Sequence, residues 1–510
     1  MGARTLLVCL DAVEPWLTRR WIDERRLPAL ERLASLGEAR PVENFPGFGN
    51  GVFWPSLTTC SGPAEHGRYY FTQLVPGTYT LRDFDPEQDF DVAPFWADVE
   101  RAGGHVAAID MVRSPIAHVR HGIELANWLV HDRDAPPYGT PGHLIPELHA
   151  RFGPDPLGLG SDHFVRAGGS LEALLRACES RVDTKTQWCG ELLRDRDWDL
   201  FAVTFQEGHD VGHMCWHLHD PAHPRHDAEA RQRLGDPLLR IYRRMDDALA
   251  ALRQAAGPDA TTIVITGPGI EANRTGNGAL PHLLARLRAD TPSPPTAAAG
   301  AAEVEVEVSW LRRAYRAYAP RSLKKLARGA RESVQGTDAE RARAAMPWFD
   351  VPHNDNAGAI RLNLVGREPR GHIRPGGEQQ QALDWLCDAL AEVRDARGQP
   401  IVTEFIRVGD VMTGPHLRAL PDLIVVWNRQ ADFAALHSPR IGHLELQLTE
   451  PDRTGDHTSR GEVIVSTPCG LRADGDRPLD PLAVGRLVRR LSLERSTPGQ
   501  PTALRTSRAA

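Results

Sequence analysis

The 510-residue chain is nearly devoid of lysine: three of its 60 basic residues are Lys (Lys185, Lys324 and Lys325) and the rest are Arg, a bias that carries no mechanism. It also lacks net positive charge. Its 67 acidic residues outnumber the 60 basic ones, for a formal charge of −7, which excludes a globally basic nucleic-acid binder. No apolar run approaches the ~20 residues of a membrane-spanning helix. Neither a nucleic-acid nor a membrane partner is therefore expected. Cysteine is sparse and odd in number, seven scattered residues with no Cys-x-x-Cys pair, which argues against a disulfide framework and a thiolate zinc site. Residues 1–8 run straight into a strand-like segment with no charged leader or cleavage site, so a cytoplasmic protein is expected. Histidine is abundant instead: 21 residues, six of them between positions 209 and 226.

Short β-branched or apolar runs end at polar residues. Residues 5–10 end at Asp11, 105–109 at Asp110, 199–205 at Gln206 and Glu207, 261–265 at Thr266, and 423–427 at Asn428. Amphipathic stretches of helical period (28–36, 171–178, 238–255, 379–394) separate them. The alternation predicts an α/β fold with a largely parallel central sheet sandwiched by helices. Ligands of such sheets sit beyond the carboxyl ends of the strands, where these polar residues lie. The Pro/Ala-rich stretch 289–302 and the Arg-rich stretch 309–343 read as a linker and a helical insertion. The expected organisation is one core in two parts, 1–288 and 346–493, divided by the insertion at 289–345 and followed by a disordered polar tail at 494–510.

Four segments could carry chemistry. Asp11, at a strand end, suits a metal ligand or a base, or caps the following helix. Residues 49–59 and 62–67 read as Gly-bounded loops into a helix N-terminus, which binds phosphate or sulfate through free N–H groups, or as ordinary turns. His209 and His213 are four apart and share a helix face, and neutral imidazoles suit zinc. The later His217, His219, His223 and His226 exceed the needs of one site and read as loop and packing residues. His457, between Gly-bounded turns, either completes a three-His set or lies in a surface turn.

Taken together, Asp11, the block from Trp54 to His66-Gly67, Gly212-His213 and Gly455-Asp456-His457 resemble the alkaline phosphatase superfamily, in its type I phosphodiesterase/nucleotide pyrophosphatase branch. The resemblance spans residues 1–280 and 345–490. It implies two metal sites, usually zinc. One uses the strand-end Asp, a Thr or Ser nucleophile and an Asp-His pair. The other uses Asp and His from D-x-x-G-H plus a late His. Here the strand-end Asp falls on Asp11, but the nucleophile falls on Asn50, which cannot form a covalent phosphoryl-enzyme. The Asp-His pair falls on Gly267 and Pro268. The second site keeps His213 and His457, with His209 in place of the Asp.

So altered, the resemblance implies a metal-dependent phosphodiesterase- or phosphatase-like hydrolase of a small anionic substrate, a phosphate or sulfate ester. It would work through a metal-bound water at a three-His site, with one Zn2+ rather than two, or with another divalent metal. His209, His213 and His457 are the expected ligands, and Asp11 and Asp210 are further ligand candidates; Asp210 alternatively orients an imidazole. Asn50, Asp11 and Glu207 are the expected catalytic groups: Asn50 as a hydrogen-bond donor to the substrate, the carboxylates as general bases or orienting groups. Two other outcomes stay open: a phosphoryl or sulfuryl transferase or other biosynthetic tailoring enzyme on the same scaffold, and a non-catalytic descendant. Oligomeric state is not legible.

Overall fold

The computed structural model describes residues 2–131, 133, 135–273, 276–290, 338–354, 356–446, 453–468, 471–473, 477–494 and 502–504. The insertion expected at 289–345 lies outside the described residues over 291–337, as does the expected tail apart from 494 and 502–504.

Strand Gly2–Leu10 is the centre of an eight-stranded sheet. The order across it is Glu38–Glu43, Arg460–Ser466, Thr261–Thr266, Gly2–Leu10, Asp197–Phe205, Val106–Ile109, Gly122–Ala126 and Tyr138–Thr140. The five strands from Thr261–Thr266 to Gly122–Ala126 are parallel; Arg460–Ser466 and Tyr138–Thr140 each pair antiparallel with that block, and Glu38–Glu43 pairs antiparallel with Arg460–Ser466. A strand buried on both faces has no polar side to show, and alternate residues feed two cores. Leu6, Val8 and Leu10 join Phe201, Val203 and Phe205 in one apolar cluster, with helices Pro28–Leu36, Leu171–Asp195, Glu207–His219 and Pro237–Ala256. Leu7 and Cys9 join Leu200 and Ala202 in the other, with helices Asn50–Thr59, Phe95–Arg101 and Pro481–Leu493.

The later half differs from the expectation. Of the described residues in 346–493, only Arg460–Ser466 enters the large sheet. Trp348–Val351, Ala357–Leu362, Leu423–Trp427 and Val402–Arg407 form a separate four-stranded antiparallel sheet. Its own core (Leu283, Leu287, Ile360, Leu386, Leu390, Val425) includes residues of helices Leu280–Asp290 and Gly377–Ala391. Phe48, Val52 and Tyr69 meet Phe349, Ala359 and Ile424 in a further cluster that joins the two sheets.

The carboxyl ends of the parallel strands converge. The Asp11 N–H bonds the Phe205 carbonyl at 2.9 Å, so the exit of one central strand is tied to the entry of helix Glu207–His219 from its neighbour. Strand Arg460–Ser466 brings the preceding short strand Gly455–His457 to the same end, where it pairs with Ile270–Ala272.

Candidate metal centre

Helix Glu207–His219 presents His209 and His213 one turn apart on one face, and both are buried. Gly455–His457 lies against that face at close range: a Cβ on Gly455 would sit 2.3 Å from the Gly212 carbonyl oxygen. Glycine at this position therefore lets His457 approach. The imidazoles meet through their Nε2 atoms, at 3.0 Å from His209 to His213 and 3.0 Å from His209 to His457.

The other ring nitrogens decide what these contacts are. His213 Nδ1 donates to the Gly455 carbonyl at 2.7 Å and His457 Nδ1 to the Pro268 carbonyl at 3.3 Å. A carbonyl only accepts, so both protons reside on Nδ1 and both Nε2 atoms carry lone pairs. His209 Nδ1 faces Asp11 Oδ2 at 2.6 Å. Asp11 Oδ1 accepts in addition from the Trp54 indole at 2.7 Å and from Asn50 Nδ2 at 3.3 Å. Two N–H donors on Oδ1 leave Oδ2 to His209, and an ionised Asp11 accepts the Nδ1 proton there, which gives His209 the same tautomer. The His209 Nε2 lone pair thus faces those of His213 and His457 with no proton between them. Zn–N bonds of about 2.0–2.1 Å would place tetrahedral ligands about 3.3 Å apart, close to the spacing seen. Burial first, then the positive charge of Arg453 and neighbouring imidazoles, holds His213 well below its ordinary pKa; burial and His209 do the same for His457. The rings remain neutral and ready to ligate, and this donor set fits a divalent ion.

A fourth imidazole was not foreseen. His131 follows strand Gly122–Ala126 and, among the described residues, forms with His209 and His213 a set whose possible ligand atoms lie within 4.8 Å of one another. Its Nδ1 meets Asp210 Oδ1 at 2.7 Å, and its ring stacks on His209 with centroids 3.8 Å apart and planes 17° apart. Stacked rings aim their nitrogens alongside each other, whereas His457 stands at 83° to His209 and 88° to His213 and aims into the group. His131 and His457 thus both stand beside the His209/His213 pair, His457 reaching it through His209 at 3.0 Å. The signal for His131 was an apolar run, 128–130, ending in a histidine.

The carboxylates stand one step behind the imidazoles. Asp11, expected among the ligands and bases, serves as acceptor for His209, because its oxygens are engaged by His209, Trp54 and Asn50. Burial raises its pKa, against the charges of His457 and the Trp54 hydrogen bond. Asp210 likewise is occupied by His131 and by Arg181 Nη1 at 2.8 Å rather than directed to the ion site. Burial alone would raise Asp210, but Arg181 and His131 hold it at about 2. Glu207 faces away into the same buried charge cluster: its Oε1 is 3.9 Å from Arg181, and its charged neighbours are Lys185, Arg181 and Asp210. Its pKa is raised by burial, and it lies outside the imidazole face as a base.

Asn50 is the first residue of helix Asn50–Thr59, and its buried Oδ1 has no hydrogen-bond partner among the described residues. With Nδ2 on Asp11, that carbonyl is an acceptor waiting for a donor. Gly267 cannot hold a ligand: its φ is +102° and a Cβ there would sit 2.5 Å from the Gly461 Cα. Backbone fills the place of the resemblance's Asp. Ser56 Oγ and His66 Nε2 are 2.9 Å apart, but the Arg68 N–H donates to His66 Nδ1 at 3.0 Å. His66 therefore donates to Ser56 and cannot act as its base. The later histidines hold the loop: His217 bonds Thr454 Oγ1 at 3.1 Å and His223 bonds the Thr454 carbonyl at 3.2 Å.

A model of the family described as type I phosphodiesterase / nucleotide pyrophosphatase matches residues 5–275. No curated protein matches the chain. Among solved structures, phosphonoacetate hydrolase from Sinorhizobium meliloti 1021 in complex with phosphonoformate is similar at 15% identity and a TM-score of 0.52, covering 96% of each chain. The same enzyme with phosphonoacetate gives 14% identity and 0.52. Human ectonucleotide pyrophosphatase / phosphodiesterase 5 gives 12% identity and 0.47, covering 98% of this chain and 97% of that one. For phosphonoacetate hydrolase, at these identities, the likeness concerns the fold alone.

Proposed function

The chain belongs to the type I phosphodiesterase / nucleotide pyrophosphatase family, and from that premise we propose that it hydrolyses a phosphate, sulfate or related ester at a single-metal centre, without a covalent intermediate. The observation that carries this is the approach of His213 Nε2 and His457 Nε2 to His209 Nε2, at 3.0 Å each, with an oxygen acceptor on every Nδ1. His209, His213 and His457 would hold the ion, Zn2+ being the metal that suits neutral imidazoles. An ion held there supplies a Lewis acid and lowers the pKa of a coordinated water to about 7.

The chain's own groups supply the rest. Asp11 keeps the His209 lone pair directed inward and adds negative charge behind it, which strengthens the imidazole as a donor. Trp54 and Asn50 keep Asp11 in place. The Asn50 carbonyl is placed to accept a hydrogen bond from water or from a protonated substrate oxygen, and so to orient it. An amide has no group able to take up a phosphoryl or sulfuryl unit, so attack proceeds in one step from water. An acceptor hydroxyl in place of that water would make the same centre a transferase.

Hydrolysis of nitrophenyl phosphate and sulfate esters tests the proposal. Activity should vanish on chelation, return with Zn2+, and be lost in His213→Ala. Intact-mass measurement during turnover should show no phosphorylated protein. Full activity of the chelated protein, or a covalent adduct, would contradict the proposal.

A further inference from the structure

Arg453 approaches the imidazoles on the loop that carries His457. Asp162, on helix Ser161–Arg166, takes its Nε at 3.1 and 3.0 Å and its Nη2 as well. That fork fixes the guanidinium plane and turns Nη1 towards His213 Nε2, at 3.4 Å. The loop is equally fixed. The Thr454 N–H donates to the His213 carbonyl at 2.6 Å, and its hydroxyl meets the same carbonyl at 3.1 Å. His217 and His223 close on Thr454 from the helix side. His217 and His223 thus help to set the position of Arg453.

His213 Nε2 carries only a lone pair, because its Nδ1 donates to Gly455. Without an ion, Nη1 donates to that lone pair. An ion ligated by the same lone pair removes the acceptor and leaves a guanidinium edge beside a second cation. Two positive groups this close are held together by an anion between them. We infer that Arg453 is the oxyanion clamp of the site: Nη1 binds a non-bridging oxygen of a tetrahedral phosphate, sulfate or phosphonate group seated beside the three Nε2 atoms. The inference rests on the proposal that those atoms hold an ion. It also gives Asp162 a positioning role, because lysine could not contact Asp162 and the anion in one plane.

The test uses the full chain loaded with Zn2+, as wild type, Arg453→Ala, Arg453→Lys and Asp162→Asn. Metal content is measured by mass spectrometry, and binding of inorganic phosphate by calorimetry. All four should retain the ion. Phosphate should bind about 10- to 100-fold more weakly to Arg453→Ala, the loss of one charge-assisted hydrogen bond. Arg453→Lys should resemble Ala more than wild type. Asp162→Asn should lose part of the affinity with Arg453 still present. Unchanged phosphate affinity in ion-loaded Arg453→Ala overturns the inference alone, as does failure of ion-loaded wild type to bind phosphate. Loss of the ion from Arg453→Ala also overturns it, since Arg453 would then be a support of the imidazoles. Wild-type protein that takes up no ion overturns the underlying proposal and this inference with it.

Discussion

Asp11→Asn is the sharpest perturbation of the centre, because it changes one oxygen to NH2 without changing shape. Asp11 accepts at both ends: from His209 Nδ1 at 2.6 Å on Oδ2, and from Trp54 Nε1 at 2.7 Å and Asn50 Nδ2 at 3.3 Å on Oδ1. An amide accepts at one end only. If its nitrogen faces Trp54, two N–H donors oppose each other in a buried site. If it faces His209, the imidazole must shift its proton to Nε2, and the lone pair that would bind the ion is lost. Both orientations are penalised, by about 1–3 kcal/mol for the stranded donor. Replacement of such a carboxylate behind a ligating histidine costs about 10- to 100-fold in metal affinity, or about 1.4–2.7 kcal/mol. Competition for Zn2+ against a chromophoric chelator at neutral pH measures it directly. Affinity equal to wild type in a folded Asp11→Asn variant would refute the tautomer argument, because the lone pair on His209 would not depend on Asp11.

Two further outcomes follow from buried charges and imidazoles. Arg181→Met leaves Asp210 (2.8 Å from Arg181) buried without its guanidinium, while Asp155 (3.4 Å) keeps Arg133 at 2.9 Å, and should lower the stability of the metal-free protein by about 3–5 kcal/mol in urea denaturation; a loss below about 1 kcal/mol, the range of an exposed pair, would contradict it. His66 is held at about 3, by burial first and then by Arg68 and His416, against an ordinary 6.5, so the unfolded chain takes up a proton that the folded chain refuses. The stability advantage of wild type over His66→Gln should therefore be greatest above pH 6.5 and shrink by about 1.4 kcal/mol per pH unit on acidification, and a difference independent of pH would count against a buried neutral His66.

Much of the fold was legible because apolar runs and helical periods are local properties. Strand 423–427 was placed to the residue, but in the wrong sheet: its alternation records burial, not which strands it pairs with. Helix Leu171–Asp195 was read only to residue 178, because Arg181 and Lys185, both fully buried, interrupt its apolar stripe. These side chains are inside because Asp210, Asp155 and Asp110 meet them there, partners far away in sequence. That His209 lies beside His213 and His457 was legible from spacing and order. The orientation of the carboxylates was not: sequence places Asp11 and Asp210 near histidines without showing that one oxygen of each meets an Nδ1 and the other a different donor. His131 escaped because its strand, Gly122–Ala126, is short and carries Glu124 in its centre. Gly267 and Pro268 marked a lost ligand pair, and the close approach of Gly461 gives the physical reason that a carboxylate no longer fits.

Metal content after Zn2+ loading and gel filtration, compared across wild type, His209→Ala, His213→Ala and His457→Ala, tests the central claim most directly. The account predicts a single ion per chain in wild type and its loss in each variant while the fold is kept. Wild-type protein without an ion, with two, or with an ion that survives removal of His213 would contradict it.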